Sequence, residues 1–294
     1  MTWILVLFSA YLFYALVFIF DKYILSRPMP HPVVYSFYVG FLGIFVLALV
    51  PFGFVMPNNS EVFWSLIAGV AQIGGFLLFY KALNRGEVSR IVPFVGSLTA
   101  IFILIISSLM IKEYLTDRQL GAFAILVAGS LIIGFKGGRL FEKGILKLAI
   151  GSSFFFAFFW VITKYLFLGT NFISGLIWVR IGVVLVALSL LLKKKNRDLI
   201  FSETKKISLK IAGFFMLGRI INVIGSIFFY LAVFLGSVTL TNAFQGLQYV
   251  FVLILALLLV KKIPNLKEQF DRKVLIQKIV AIILICLGLT LLVL

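Results

Sequence analysis

Apolar runs follow one another from end to end of this chain, separated by short polar connections. A helix needs about 20 mostly apolar residues to cross a bilayer. Runs of that order fall at roughly 3–20, 33–50, 62–80, 91–111, 119–135, 144–168, 173–192, 211–235, 237–260 and 274–293. The pattern predicts an all-α integral membrane protein with ten transmembrane helices. Two connections, 193–210 and 261–273, are longer and basic, yet too short for a soluble domain. The first run has no basic stretch before it and no small-x-small site after it, so a retained helix is expected rather than a cleaved leader.

The runs also repeat. Tyr80 to Gly96 (YKALNRGEVSRIVPFVG) and Tyr230 to Gly246 (YLAVFLGSVTLTNAFQG) match without a gap at Tyr, Ala, Gly, Val, Phe and Gly, an offset of 150 residues. An offset of 142 lays Lys22-Tyr23 on Lys164-Tyr165, Ala15 on Ala157, Phe13 on Phe155 and Gly40 on Gly182. Five spans separate each copy from its mate, and an odd number turns the second copy upside down in a membrane. The expected architecture is two inverted five-helix repeats, residues 1–138 and 139–294. Gly129 and Gly288 stand at related places in the fifth and tenth spans.

Composition confirms the solvent and narrows the chemistry. With 63% apolar and 13% charged residues among 294, the chain carries more apolar surface than a single soluble core could hide. The formal charge of +17 would suggest nucleic acid in a soluble chain, but the basic residues fall between the apolar runs and read as an interfacial collar. Lys and Arg crowd the odd-numbered connections, while only Lys112 and Arg118 stand on the other side. The positive-inside rule then puts odd loops in the cytoplasm and both termini outside, in a plasma or inner membrane. One Cys286 and one His31 leave no internal disulfide and no metal cluster. No phosphate-binding glycine pattern, catalytic constellation or cofactor motif is visible, which argues against an enzyme or an ATP-driven pump.

Polar and aromatic stripes at helical spacing mark candidate cavity faces. Span one offers Tyr11, Tyr14, Phe18 and Lys22; span three Gln72, Phe76 and Tyr80; span six Ser153, Phe156, Trp160 and Lys164. Span eight offers Arg219, Asn222, Ser226 and Tyr230, and span nine Asn242, Gln245 and Gln248. Each stripe also reads as interhelical packing, and Lys22 and Lys164 also read as snorkelling to the interface. Arg219 stands about eight residues into its run, roughly 12 Å of helix, and Arg180 lies inside span seven. No Asp or Glu occurs inside any run. Unpaired arginines with aromatic and amide neighbours suit a substrate bearing a carboxylate or phosphate. Pro93, two residues into the fourth run, reads as a helix start, with a hinge or bent gate as the alternative. Gly69 and the Gly74-Gly75 pair read as sites of close helix packing.

Tyr80-x-Ala82-Leu83, Val88-Ser89-x-x-Val92-Pro93 and Lys112-Glu113-x-Leu115-Thr116-x-x-Gln119-x-Gly121, with Gly129 after them, resemble the signature half of EamA-type transporters of the drug/metabolite transporter superfamily. The second half carries Tyr230-x-Ala232 and Trp178-x-Arg180, but Ala243 replaces Pro93 and the counterpart of Glu113 falls in Lys261-Lys262-Ile263. The resemblance implies a ten-helix fold whose first four helices in each half surround a cavity, working by alternating access. Similar ten-helix transporters generally keep both termini inside, against the charge bias here. The function expected is a secondary transporter of small organic metabolites, amino acids or other carboxylates among them, acting as exporter or exchanger. A passive channel-like facilitator and an exporter of cationic drugs are the alternatives. The partners expected are a small-molecule substrate and the bilayer, with no nucleic acid; a homodimer is compatible with the pattern.

Overall fold

The computed structural model describes residues 2–24, 31–86, 88–134, 142–204, 209–259 and 272–293; some side chains within these, Phe18, Lys22 and Arg219 among them, lie outside the description. Regular structure among the described residues is helical throughout. The helices are α1 (Thr2–Ile24), α2 (Pro32–Phe41), α3 (Asn59–Leu83), α4 (Val88–Met110), α5 (Asp117–Gly134), α6 (Lys143–Gly169), α7 (Phe172–Ser189), α8 (Lys194–Thr204), α9 (Leu209–Leu235), α10 (Val238–Ala243), α11 (Gly246–Leu259) and α12 (Arg272–Val293). Tight 3-10 turns extend α2 through Leu42–Phe52 and α7 through Leu190–Leu192.

Five stretches are long and apolar enough to cross a membrane: Pro32–Phe52, Asn59–Leu83, Arg90–Met110, Lys143–Gly169 and Phe172–Leu192. Shorter apolar stretches, Thr2–Val17, Ile220–Leu235 and Ile279–Leu292, fall in α1, α9 and α12. In lipid a backbone must satisfy its own polar groups, and helices do so within one segment.

Local chemistry fixes the ends. Asn58 and Glu61 form a reciprocal capping box on α3, with the Asn58 side chain taking Glu61 N–H at 2.8 Å and Glu61 taking Asn58 N–H at 2.9 Å. Asn171 caps α7 through Ser174 N–H at 2.9 Å and donates its amide to the Gly53 carbonyl at 3.1 Å, tying two connections together. Gly53, with φ of 108°, ends the Leu42–Phe52 turns in a conformation that suits glycine.

Packing runs mainly between the two halves of the chain. α1 lies along α9 and α11, α3 along α6 and α7, α4 along α6, and α5 along α12. At the α3–α7 crossing a Cβ on Gly69 would collide with the Gly182 backbone, and one on Gly182 with the Ser65 carbonyl, so both must stay glycine for the backbones to meet. α5 and α12 cross through Gly129 and Gly288, where added Cβ atoms would lie 3.2 Å from the Ala281 and Ala122 carbonyls. The Gly74-Gly75 pair admits rings: a Cβ on Gly75 would meet Phe156 at 2.7 Å, and one on Gly74 would meet Phe155 at 3.5 Å.

Three expectations change. The basic 193–210 connection contains α8, whose Ile200 is buried. Pro93 is the sixth residue of α4 rather than the third of a run starting at 91, because the helix starts at Val88; its ring sits inside an unbroken helix. The ninth run is interrupted instead, although Ala243 stands there in place of proline. Gln245 N–H bonds the Asn242 carbonyl at 3.2 Å and Leu247 N–H the Phe244 carbonyl at 2.8 Å, i to i−3 turns that separate α10 from α11.

Candidate functional site

Side chains from α1, α3, α6, α7 and α9 converge on Tyr230. Tyr230 is buried, and its ring stands 5.2 Å from that of Trp160 on α6. The guanidinium of Arg180, on α7, lies 5.8 Å from the Tyr230 ring centroid, a cation–π approach. Arg180 and Gln72, from α3, both face the Tyr230 hydroxyl. Yet the buried Tyr230 hydroxyl and Gln72 Oε1 complete no hydrogen bond. Uncompensated buried polar groups cost free energy, about 1–3 kcal/mol each, and a polar ligand that bonds them removes that cost. On its other side Arg180 rests against Gly43, where an added Cβ would sit 3.4 Å from Nε.

A second polar chain borders this group. Tyr14 donates its hydroxyl to Ser226 Oγ at 3.3 Å, and Ser226 approaches Asn222 Oδ1 at 3.5 Å. Phe229 joins the two groups, with ring centroids 4.7 Å from Trp160, 6.0 Å from Tyr14 and 5.6 Å from Tyr11. Tyr14, Gln72, Trp160, Arg180, Asn222, Ser226 and Tyr230 are thus brought together, a cation walled by aromatic rings and amides. No carboxylate pairs with Arg180 among the described residues.

Other candidates are placed differently. Tyr11 is buried, with its hydroxyl donated to the Thr241 carbonyl at 2.9 Å. Ser153 shares its proton between the Ala149 carbonyl at 2.8 Å and the Val95 carbonyl at 3.1 Å, a tie between α6 and α4. Phe76 and Tyr80 belong to an aromatic group with Tyr35, Phe79 and Phe156; the Tyr35 and Tyr80 centroids are 4.4 Å apart. Asn242 bonds the Val238 carbonyl of its own helix at 2.9 Å. The Gln245 amide fills the space over Gly96, and Gln248 is half-buried on α11. The side chains of Phe18 and Arg219 lie outside the described residues.

Lys164 and Glu113 form a clamp at the α9–α10 junction. Lys164 Nζ donates to the carbonyls of Val233 at 2.9 Å, Phe234 at 3.1 Å and Gly236 at 2.8 Å, the exposed acceptors at the end of α9. Glu113 takes the Ser237 hydroxyl at 2.7 Å, Thr239 N–H at 3.1 Å and Val238 N–H at 3.3 Å, the donors at the start of α10. Lys112, with φ of 53°, makes the left-handed turn that directs Glu113 there. Sequence reasoning missed this role of Glu113, whose partners Ser237 to Thr239 sit more than a hundred positions later. It missed Phe229 too, which is one place off the Asn222–Ser226–Tyr230 stripe.

Comparison with known proteins bears on the family and the fold. The sequence matches the EamA-like transporter family over residues 1–135. No curated protein matches. One solved structure, titled only as the crystal structure of a protein, superposes with a TM-score of 0.64 at 16% identity, covering 99% of this chain and 97% of its own, so the fold is shared across the whole length. The family is one of transporters rather than enzymes. With its apolar helices and this match together, the chain is a multi-pass membrane protein whose residues 1–135 are similar to the EamA-like transporter family.

Proposed function

We propose that the chain is a secondary transporter built from two inverted five-helix repeats, moving small organic anions, carboxylates above all, by alternating access as an exporter or exchanger. The observation that carries the substrate class is Arg180, held between Gly43 and Tyr230 with no carboxylate partner among the described residues, beside the unbonded Tyr230 hydroxyl and Gln72 Oε1. A carboxylate fits the guanidinium in a two-pronged arrangement, and Trp160, Phe229 and Tyr14 offer an apolar wall for the rest of the molecule. No carboxylate joins the cluster among the described residues, and Glu113 is occupied by the start of α10, which speaks against an embedded carboxylate exchanging protons for a cationic drug.

The repeat reading is supported by reciprocal packing. The two offsets pair span one with six and three with eight; α1 packs on α9, and the mates of that pair, α6 and α3, pack on one another. The α4–α6 contact has its mate in α11 with α1. The charge bias supports odd-numbered loops in the cytoplasm and both termini outside.

Purified protein in liposomes loaded with one labelled carboxylate tests the function. Concentrative exchange of that carboxylate is expected, and equilibration alone would leave a passive facilitator. Equal rates and affinities in wild type, Arg180→Ala and Arg180→Lys would discard the anionic-substrate reading. A cytoplasm-only reporter active at the C-terminus would reverse the orientation.

A further inference from the structure

The basic connection after span seven is not a plain tether. The span ends at Leu192 and α8 starts at Lys194, which leaves the first turn of α8 at the membrane surface. One face of α8, Asn196, Leu199, Ile200 and Glu203, is turned inward, with Ile200 buried and the helix packed against α2 and the end of span seven. The opposite stripe carries Lys194, Arg197 and Phe201 at helical spacing, with Lys193 and Lys195 beside it, all exposed. Phe201 is 56% exposed, and Leu192, the last residue of span seven, 84%, so an apolar edge runs from the span into the basic stripe. Asp198 is the single exposed acid on α8 itself.

We propose that this stripe is a binding surface for anionic lipid headgroups of the bilayer, with the phosphates meeting Lys194, Lys195 and Arg197 while Phe201 and Leu192 enter the acyl boundary. Water alone does not explain large apolar side chains left exposed beside the cations, and a protein partner is not needed where the bilayer already lies within one turn. Basic side chains gain from a negative lipid surface, and aromatic rings favour the same depth. α8 rests on α2, so headgroups bound there fix the ends of two spans at once.

The test is native mass spectrometry of the full-length protein in detergent with phosphatidylglycerol or phosphatidylcholine added. Wild type retains phosphatidylglycerol preferentially, and the triple variant Lys194→Gln, Lys195→Gln, Arg197→Gln lowers that preference by at least about tenfold. The single variants Lys194→Gln and Arg197→Gln, which leave the packed face untouched, each lower it in part and serve if the triple variant does not fold. No preference in wild type, or one unchanged in the triple variant or in both single variants, overturns the proposal.

Discussion

Two helix crossings that occupy related places in the chain are built from opposite chemistry. Where α3 meets α7, Gly69 and Gly182 bring backbone against backbone and nothing passes between them. The sequence offsets put Arg219 where Gly69 stands and Gly40 where Gly182 stands, on α9 and α2. Among the described residues α9 and α2 make no comparable contact, and the Arg180 guanidinium sits in that interval, between Gly43 after α2 and Tyr230 on α9. One crossing is therefore sealed with glycine, and the other interval holds the Arg180 cation.

The sharpest way to break the comparison is at the sealed seam. Gly182→Leu forces a side chain into the Ser65 carbonyl, and folded protein recovered by size-exclusion chromatography is expected to fall nearly to zero, a cost above about 3 kcal/mol. Gly40→Ala meets the Ala187 Cβ and the end of the Ile73 side chain, each 2.7 Å away, and no backbone carbonyl, so it should fold with a smaller cost of about 1–3 kcal/mol. Equal losses in the two would erase the distinction. At the open seam Arg180→Ala is expected to lower carboxylate transport roughly 10- to 100-fold without lowering thermal stability, whereas Tyr38→Phe, its repeat counterpart, changes transport little. The clamp comes next. Lys164→Met leaves three carbonyls at the end of α9 without a donor and should cost about 1–3 kcal/mol in thermal unfolding, with Glu113→Gln costing less because the amide oxygen still accepts. The smallest effect is expected at Pro93→Ala, which restores an N–H inside a helix that is already continuous and should shift stability by under about 1 kcal/mol; circular dichroism unchanged in helix content would agree.

Much of this was legible in the chain because membrane helices must be long and apolar, and a period of 3.6 residues sorts their faces. The stripe Asn222, Ser226 and Tyr230 was readable for that reason, and so was the solitary charge of Arg180. Glu113 was not, since a loop carboxylate gives no periodicity and its partners are backbone N–H groups that carry no letter of their own. Pro93 misled in the other direction. Proline weakens a helix locally, yet α4 is continuous through Pro93, whereas Asn242 to Gln248 form i to i−3 turns without a proline. α8 was hidden because its apolar positions are too few to stand out from the basic run around them.

The interleaving of the halves also bears on how the protein is made. α1 has its packed neighbours, α9 and α11, in the last third of the chain, α3 leans on α6 and α7, and α5 waits for α12. α1 and α5 therefore sit in the bilayer without their main neighbours until the last third of the chain is made, whereas α3 and α4 can pack once α6 and α7 follow them, so the first five helices do not form a finished half by themselves. Truncation before α12 would leave Gly129 facing lipid, and quality-control proteases would meet that unfinished face first.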